Sequence, residues 1–68
     1  MINANKLKAK LVEEGKNVEW LAGKLGYTAS NLYNKLNGNS SMTIEDANKI
    51  RKELKFDDET IIEIFFNN

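Results

Sequence analysis

The sequence predicts a small all-α domain built from five helices. Apolar residues recur at helical spacing, and no segment alternates between apolar and polar residues as a half-buried strand would. The chain also contains four glycines and no proline, so helix breaks are few and easily placed. With 68 residues, there is room for one hydrophobic core. Because neither repeats nor a linker divide the chain, we expect residues 1–68 to form a single domain.

The first two predicted helices are separated by Gly15. The first helix covers Ala4–Glu14 and has its apolar residues on one face. Asn17 is placed to cap the second helix, which ends at Gly26. The residues expected to face the core in these two helices are Ala4, Leu7, Leu11, Val18, Leu21, Ala22 and Leu25.

The third predicted helix is short and is followed by a loop. Thr28 is placed to cap it, and Leu32 and Leu36 lie on its apolar face. The loop covers Asn37–Met42, where Gly38 suits a left-handed position just after a helix.

Two further helices begin at acidic or hydroxyl-bearing residues. The segment Thr43–Asp46 resembles a capping box and opens the fourth helix. Asp57 and Asp58 are expected to cap a last element, Glu59–Phe66. The residues of the fourth helix expected to face inward are Ile44, Ala47, Ile50 and Leu54.

The composition argues against catalysis and against a membrane location. The chain has no cysteine and no histidine, which removes thiolate chemistry, the commonest general base and the commonest zinc ligand. No apolar run approaches the roughly 18 residues that span a bilayer, and the start lacks a signal-peptide pattern. We therefore expect an intracellular protein that is not an enzyme and that binds no metal, cofactor, membrane or small-molecule substrate.

The most informative stretch runs from residue 17 to residue 38. Here two short amphipathic helices meet across Gly26 and Tyr27, and the small side chain of Ala22 allows a close crossing. Leu32 is expected to face back toward the second helix. This pattern is the minimum for a helix-turn-helix, although an αα-hairpin within any small bundle would have the same spacing.

This stretch resembles the helix-turn-helix of the Cro/CI (lambda-repressor-like) phage regulators. The resemblance lies in L-A-x-K-L-G, followed by T-x-S-x-L and closed by L-N-G. The segment T-I-E-D-A-N-K-I-R-K-E-L is similar to the fourth helix of that family, so the resemblance covers nearly the whole chain. It implies a lambda-repressor-like fold and a phage or prophage transcriptional regulator that binds operator DNA in the cytoplasm of a bacterial host cell.

The resemblance also implies which residues would face DNA. The third helix would lie in the major groove and contact bases through Ala29, Ser30, Asn31 and Asn34. Asparagine can form two hydrogen bonds with adenine, whereas arginine, the commonest partner of guanine, is absent from this helix. The helix would therefore favour A·T positions. The alternative is that these are ordinary polar residues of a solvated face. Phosphate contacts would come from Asn17, Tyr27, Thr28, Asn37, Asn39, Ser40 and Ser41. For Asn37 and Asn39 the alternative is a role as simple turn residues.

A protein-interaction module of the same fold, such as an antitoxin or adaptor, is the alternative function. The loop lacks the lysine and arginine residues usual in the family, and Val18 replaces a common polar contact. Trp20, beside Lys16 and Lys24, either packs under a terminal segment or belongs to a partner surface. For Lys35 the alternatives are a packed stem and a DNA contact. Gly23 lies inside a predicted helix, where glycine is unfavourable, and the sequence shows no reason for a glycine there.

Charge is unevenly distributed although ten basic residues balance ten acidic ones. Residues 1–44 contain six lysines against three glutamates, whereas residues 57–68 contain four acidic residues and no cation. DNA is therefore expected at the basic end. The C-terminal acidic and apolar segment, residues 57–68, has too many apolar residues for one core-facing stripe. We expect it to form the interface of a weak homodimer through Ile61, Ile62, Ile64, Phe65 and Phe66.

Overall fold

Five helices form the chain in the computed structural model, which describes residues 2–66. They are α1 (Ala4–Glu13), α2 (Val18–Leu25), α3 (Ala29–Leu36), α4 (Ile44–Leu54) and α5 (Asp58–Phe65). No strand occurs within residues 2–66, so the all-α prediction is confirmed for this range. The predicted domain (1–68) and C-terminal segment (57–68) include Met1, Asn67 and Asn68, which lie outside the described residues.

The predicted helix limits are correct to within one residue. Helix α1 ends at Glu13 rather than Glu14, and α5 covers Asp58–Phe65 rather than Glu59–Phe66. Asp57 alone caps α5, because Asp58 is already the first residue of the helix.

Each helix begins at a side chain that accepts a hydrogen bond from a backbone N–H group three residues further on. The predicted caps of α2, α3 and α5 all do so, and Asn3 caps α1 in the same way without having been predicted. The capping box of α4 is also confirmed. The Thr43 hydroxyl accepts from the Asp46 N–H at 3.0 Å, and the Asp46 carboxylate accepts from the Thr43 N–H at 3.1 Å. Local polar chemistry therefore fixes where the helices start.

One hydrophobic core joins the helices. Helix α2 packs against α3 and α4, while α5 packs against α1 and α4. The Asn3 N–H donates to the Ile64 carbonyl at 2.6 Å, which ties the start of α1 to the end of α5. The central cluster consists of Leu7, Leu11, Val18, Leu21, Ala22, Leu25, Leu32, Leu36, Ile50, Leu54 and Ile64.

The start of α4 differs from the prediction that Ile44 faces inward. Ile44 is 75% exposed, whereas Asp46 is 1% exposed. In the first turn of α4, the carboxylate of Asp46 and the methyl group of Ala47 take the inward positions, because Asp46 bonds to residues outside its own helix. The prediction for Ile44 was wrong, and those for Ala47, Ile50 and Leu54 are confirmed.

None of the helices formed between residues 2 and 66 is both long enough and apolar enough to cross a bilayer.

Candidate nucleic-acid interface

A tight turn sets the position of α3 against α2. Gly26 ends α2 with a φ of 79°, a left-handed conformation that residues with a side chain rarely adopt. The Tyr27 N–H then donates to the Ala22 carbonyl at 2.9 Å, and α3 begins two residues later. Leu32 of α3 is fully buried in the same core cluster as Val18 and Leu21. The turn and this apolar contact together fix which face of α3 is turned outward.

The outward face of α3 is polar. Ser30, Asn31 and Asn34 are exposed, whereas Leu32 and Leu36 on the opposite side are buried. Ala29 is half-buried, so less of its methyl group is accessible than of the three polar side chains. Three of the four predicted base-contact residues, Ser30, Asn31 and Asn34, thus share the exposed side of the helix, and Ala29 lies toward its buried side.

The loop after α3 folds back onto the end of that helix. The N–H groups of Asn39 and Ser40 donate to the Asn34 carbonyl at 2.9 and 3.3 Å. Asn37, Asn39, Ser40 and Ser41 are all exposed. The side chains predicted to contact phosphate therefore lie next to the C-terminal end of the polar face of α3.

Two other predicted phosphate contacts are helix caps. Thr28 accepts from the Asn31 N–H at 3.1 Å, and Asn17 accepts from the Trp20 N–H at 2.8 Å. Both residues are exposed. Their remaining hydrogen-bonding groups, the hydroxyl proton of Thr28 and the amide NH₂ of Asn17, are donors of the kind that phosphate oxygens accept.

Tyr27 belongs to a polar cluster that the sequence analysis missed. Its hydroxyl donates to the Asp46 carboxylate. The Lys35 ammonium lies 3.2 Å from the other carboxylate oxygen and 2.9 Å from the Ser41 carbonyl. The same ammonium stands 5.1 Å from the centre of the Tyr27 ring. This cluster connects the turn before α3, the end of α3, the loop and the start of α4.

The cluster shifts the ionisation of its acidic members. Burial opposes the charged form of Asp46, but hydrogen bonds from Tyr27, Thr43 and Lys35 outweigh burial and lower its pKa. The hydrogen bond to Asp46, aided by burial, raises the pKa of the Tyr27 hydroxyl. Asp46 is therefore an anion and Tyr27 a neutral donor at neutral pH.

The charge around α3 follows from this arrangement. Residues 20–44 contain no aspartate or glutamate, and their only cations are Lys24 and Lys35. The side chain of Lys35 is only 16% exposed, and its charge is matched within the protein by Asp46. The surface formed by α3 and the loop is thus nearly neutral and rich in hydrogen-bonding groups.

Trp20 lies on the outer side of α2 between two lysines. The ammonium groups of Lys16 and Lys24 stand 4.9 and 5.7 Å from its ring centre. The ring is half-buried and packs against the edge of the core cluster. Gly23, one turn away, is exposed, and a methyl group added there would meet no atom within 4 Å. Nothing in the surrounding structure requires glycine at position 23.

The predicted dimer residues divide into two groups. Ile61 and Ile64 are buried in the core of the protein itself, so they offer no surface to a second copy. Phe65 is half-buried, and Ile62 and Phe66 are exposed. The prediction that all five residues form the interface is therefore corrected. The helical periodicity of α5 directs Ile61 and Ile64 toward α1 and α4 and leaves the other three at the surface.

Comparison with models of protein families, with characterised proteins and with solved structures found no match for this chain.

The Asp46 cluster was difficult to find from the sequence, although two signals pointed toward it. Asp46 occupies the third position of a capping box, and Lys35 is the one charged residue of α3. Both signals are local, whereas the contact joins residues that are far apart in the chain.

Proposed function

We propose that this protein is a sequence-specific DNA-binding regulator whose α2 and α3 act as a helix-turn-helix in a lambda-repressor-like arrangement. The observation that carries the proposal is the position of α3. The helix is held against α2 by Gly26 and Leu32, and it presents Ser30, Asn31 and Asn34 on one exposed side. A helix presented in this way fits the major groove of B-DNA.

The chemistry of the exposed side supports readout of bases. Asn31 and Asn34 lie one turn apart on α3, and each amide matches the donor and acceptor pair of adenine. Ser30 accepts or donates. In this proposal α3 favours A·T positions. The methyl group of Ala29, which is half-buried, contacts a thymine methyl group.

Phosphate contacts in this proposal come mainly from uncharged groups. Asn17, Thr28 and the loop residues around Asn39 supply amide and hydroxyl donors close to helix ends. Tyr27 and Lys35 are occupied by Asp46, so they serve to hold the turn and the loop in place. Because few cations approach the duplex, binding should depend on salt only modestly.

A symmetric homodimer completes the proposal. One helix in one major groove reads few base pairs, and two copies related by a two-fold axis read two half-sites about 34 Å apart. The surface for the second copy consists of Ile62, Phe65 and Phe66. Phe65 and Phe66 border a groove of about 390 Å³ that Ile44 also lines. Such a dimer, acting in the cytoplasm of a bacterial cell, would repress by covering a promoter.

A protein-interaction module of the same fold is the second candidate function. The ion pair between Lys35 and Asp46 favours the interaction module, because no other cation lies between residues 25 and 48. A helix that reads DNA without a nearby free cation depends on other parts of the chain for attraction to phosphate.

A fluorescence-anisotropy titration tests the proposal. The intact protein is titrated against labelled duplex from upstream of its own gene at several salt concentrations, with a scrambled duplex as control. We expect tighter binding to the upstream duplex and a log–log salt slope of roughly −2 to −5 for a dimer. No binding to the upstream duplex, or complete insensitivity to salt, would favour the interaction module. Equal binding to both duplexes would contradict sequence-specific readout.

A further inference from the structure

Lys8 is one of the cations whose charge no carboxylate matches in the described part of the chain. Within residues 2–66, five cations form ion pairs: Lys6, Lys10, Lys35, Lys49 and Arg51. Lys8 forms none in that range. Its ammonium instead stands over the ring of Tyr33, 5.9 Å from the ring centre.

The contact joins α1 to the edge of the polar side of α3. Tyr33 is 37% exposed. It lies three residues after Ser30 and directly before Asn34, so it borders the side that carries both residues. The one cation of α3, Lys35, is paired with Asp46, so Lys8 brings to this helix, from another element, a cation that is unpaired within residues 2–66.

An aromatic ring positions an ammonium group without neutralising it. The attraction to the face of the ring favours one arrangement of the long side chain. A carboxylate would cancel the charge, as Asp46 does for Lys35. The Lys8 charge therefore stays available to an anion that approaches α3.

We propose that Lys8, positioned by the ring of Tyr33, binds a backbone phosphate of the DNA next to the groove that α3 enters. The inference rests on the proposed function and assigns Lys8 the role of the cationic contact that the loop after α3 lacks. Tyr33 is a positioning residue in this account. A phosphate contact adds affinity for all sequences and contributes to the salt dependence, but it does not select bases.

The test measures DNA affinity and salt slope for Lys8→Met, Tyr33→Leu and the double variant. The matched control is Lys52→Met, which removes a positive charge from the exposed side of α4. We expect Lys8→Met to weaken binding about five- to tenfold on cognate and scrambled duplexes alike, and to make the slope shallower by about one for each domain bound. Lys52→Met should stay within about twofold of the parent.

Tyr33→Leu separates positioning from packing. Tyr33→Leu should weaken DNA binding less than Lys8→Met does. Because the two residues act together, Lys8→Met should cause a smaller loss of affinity in the Tyr33→Leu background than in the parent. Thermal melting of each variant checks that it is folded.

Two outcomes overturn the inference, and they differ from each other. If the parent binds DNA but Lys8→Met has the same affinity and salt slope as Lys52→Met, the proposed function stands and Lys8 is not a contact. If the parent binds neither duplex, the proposed function fails, and the assignment of Lys8 fails with it.

Discussion

Asp46 is a buried carboxylate whose hydrogen bonds join three parts of the chain. It accepts from the Tyr27 hydroxyl before α3, from the Lys35 ammonium at the end of α3 and from the Thr43 N–H at the start of α4. These partners favour the charged form and lower its pKa despite burial. Since the folded pKa lies below the unfolded value of about 3.9, the carboxylate stabilises the fold above that value. The stabilisation is lost as the pH falls through the folded pKa.

Replacing Asp46 with asparagine should therefore destabilise the protein in a pH-dependent way. At pH 7 we expect Asp46→Asn to lower the free energy of unfolding by about 1–3 kcal/mol, because buried donors lose a charged acceptor. The difference from the parent should narrow as the pH falls below the unfolded pKa and through the lowered pKa of the folded Asp46 carboxylate. Urea unfolding between pH 2 and 7 measures both effects.

Asp57→Asn is the matched control for this substitution. Asp57 caps α5 at the surface, and asparagine is an equally good cap. We expect its effect at pH 7 to be small. If Asp46→Asn were no more destabilising than Asp57→Asn at pH 7, the cluster around Asp46 would not stabilise the fold.

Two glycines at and near the end of α2 should respond in opposite ways to alanine. Gly23 is inside the helix with open space around it, so Gly23→Ala should raise the free energy of unfolding by about 0.5–1 kcal/mol. Gly26 has a φ of 79°, so Gly26→Ala should lower it by about 1–2 kcal/mol. Urea or thermal unfolding of both variants measures this. A loss of stability in Gly23→Ala would mean that the helix needs glycine there for a reason absent from the contacts.

Most helix starts could be predicted because they depend on contacts three residues apart. Asn17, Thr28, Thr43 and Asp57 were all recognisable caps for this reason. The inward direction of α4 could not be predicted in the same way. Asp46 is held in its buried position by Tyr27 and Lys35, which lie 19 and 11 positions earlier in the chain. Helical periodicity alone assigns the inward position to the apolar residue Ile44. In α5, apolar residues occupy both the buried and the exposed side of the helix. The sequence pattern therefore does not separate Ile61 and Ile64, which face the core, from their apolar neighbours.

The proposed homodimer depends on apolar side chains left uncovered at the end of the chain. Phe66 is 61% exposed, and Ile62 is exposed one turn before it. Sedimentation equilibrium should show a weak dimer for the intact protein and monomers for Ile62→Ser and Phe66→Ser. Val12→Ser is the control, because Val12 is also exposed but lies at the far end of α1 from the Asn3–Ile64 contact. Loss of the dimer in Val12→Ser, with retention in the other two variants, would move the interface to α1.

In the proposed function, the exposed side of α3 reads DNA, while its buried side only holds the helix in place. Asn34→Ala and Asn31→Ala should each cost about 1–3 kcal/mol of binding on the duplex that the parent prefers. Neither should change the melting temperature much, because both side chains are exposed. Leu32→Ala, as the opposite control, should lower stability by about 2–5 kcal/mol because Leu32 is fully buried.

The most direct measurement is the affinity of Asn34→Ala for the preferred duplex, determined by anisotropy beside a melting curve of the same sample. The proposal predicts a roughly 5- to 150-fold loss of affinity, with relaxed preference at one base pair in each half-site and an unchanged melting temperature. An unchanged affinity for a duplex that the parent binds specifically, in both Asn34→Ala and Asn31→Ala, would contradict it.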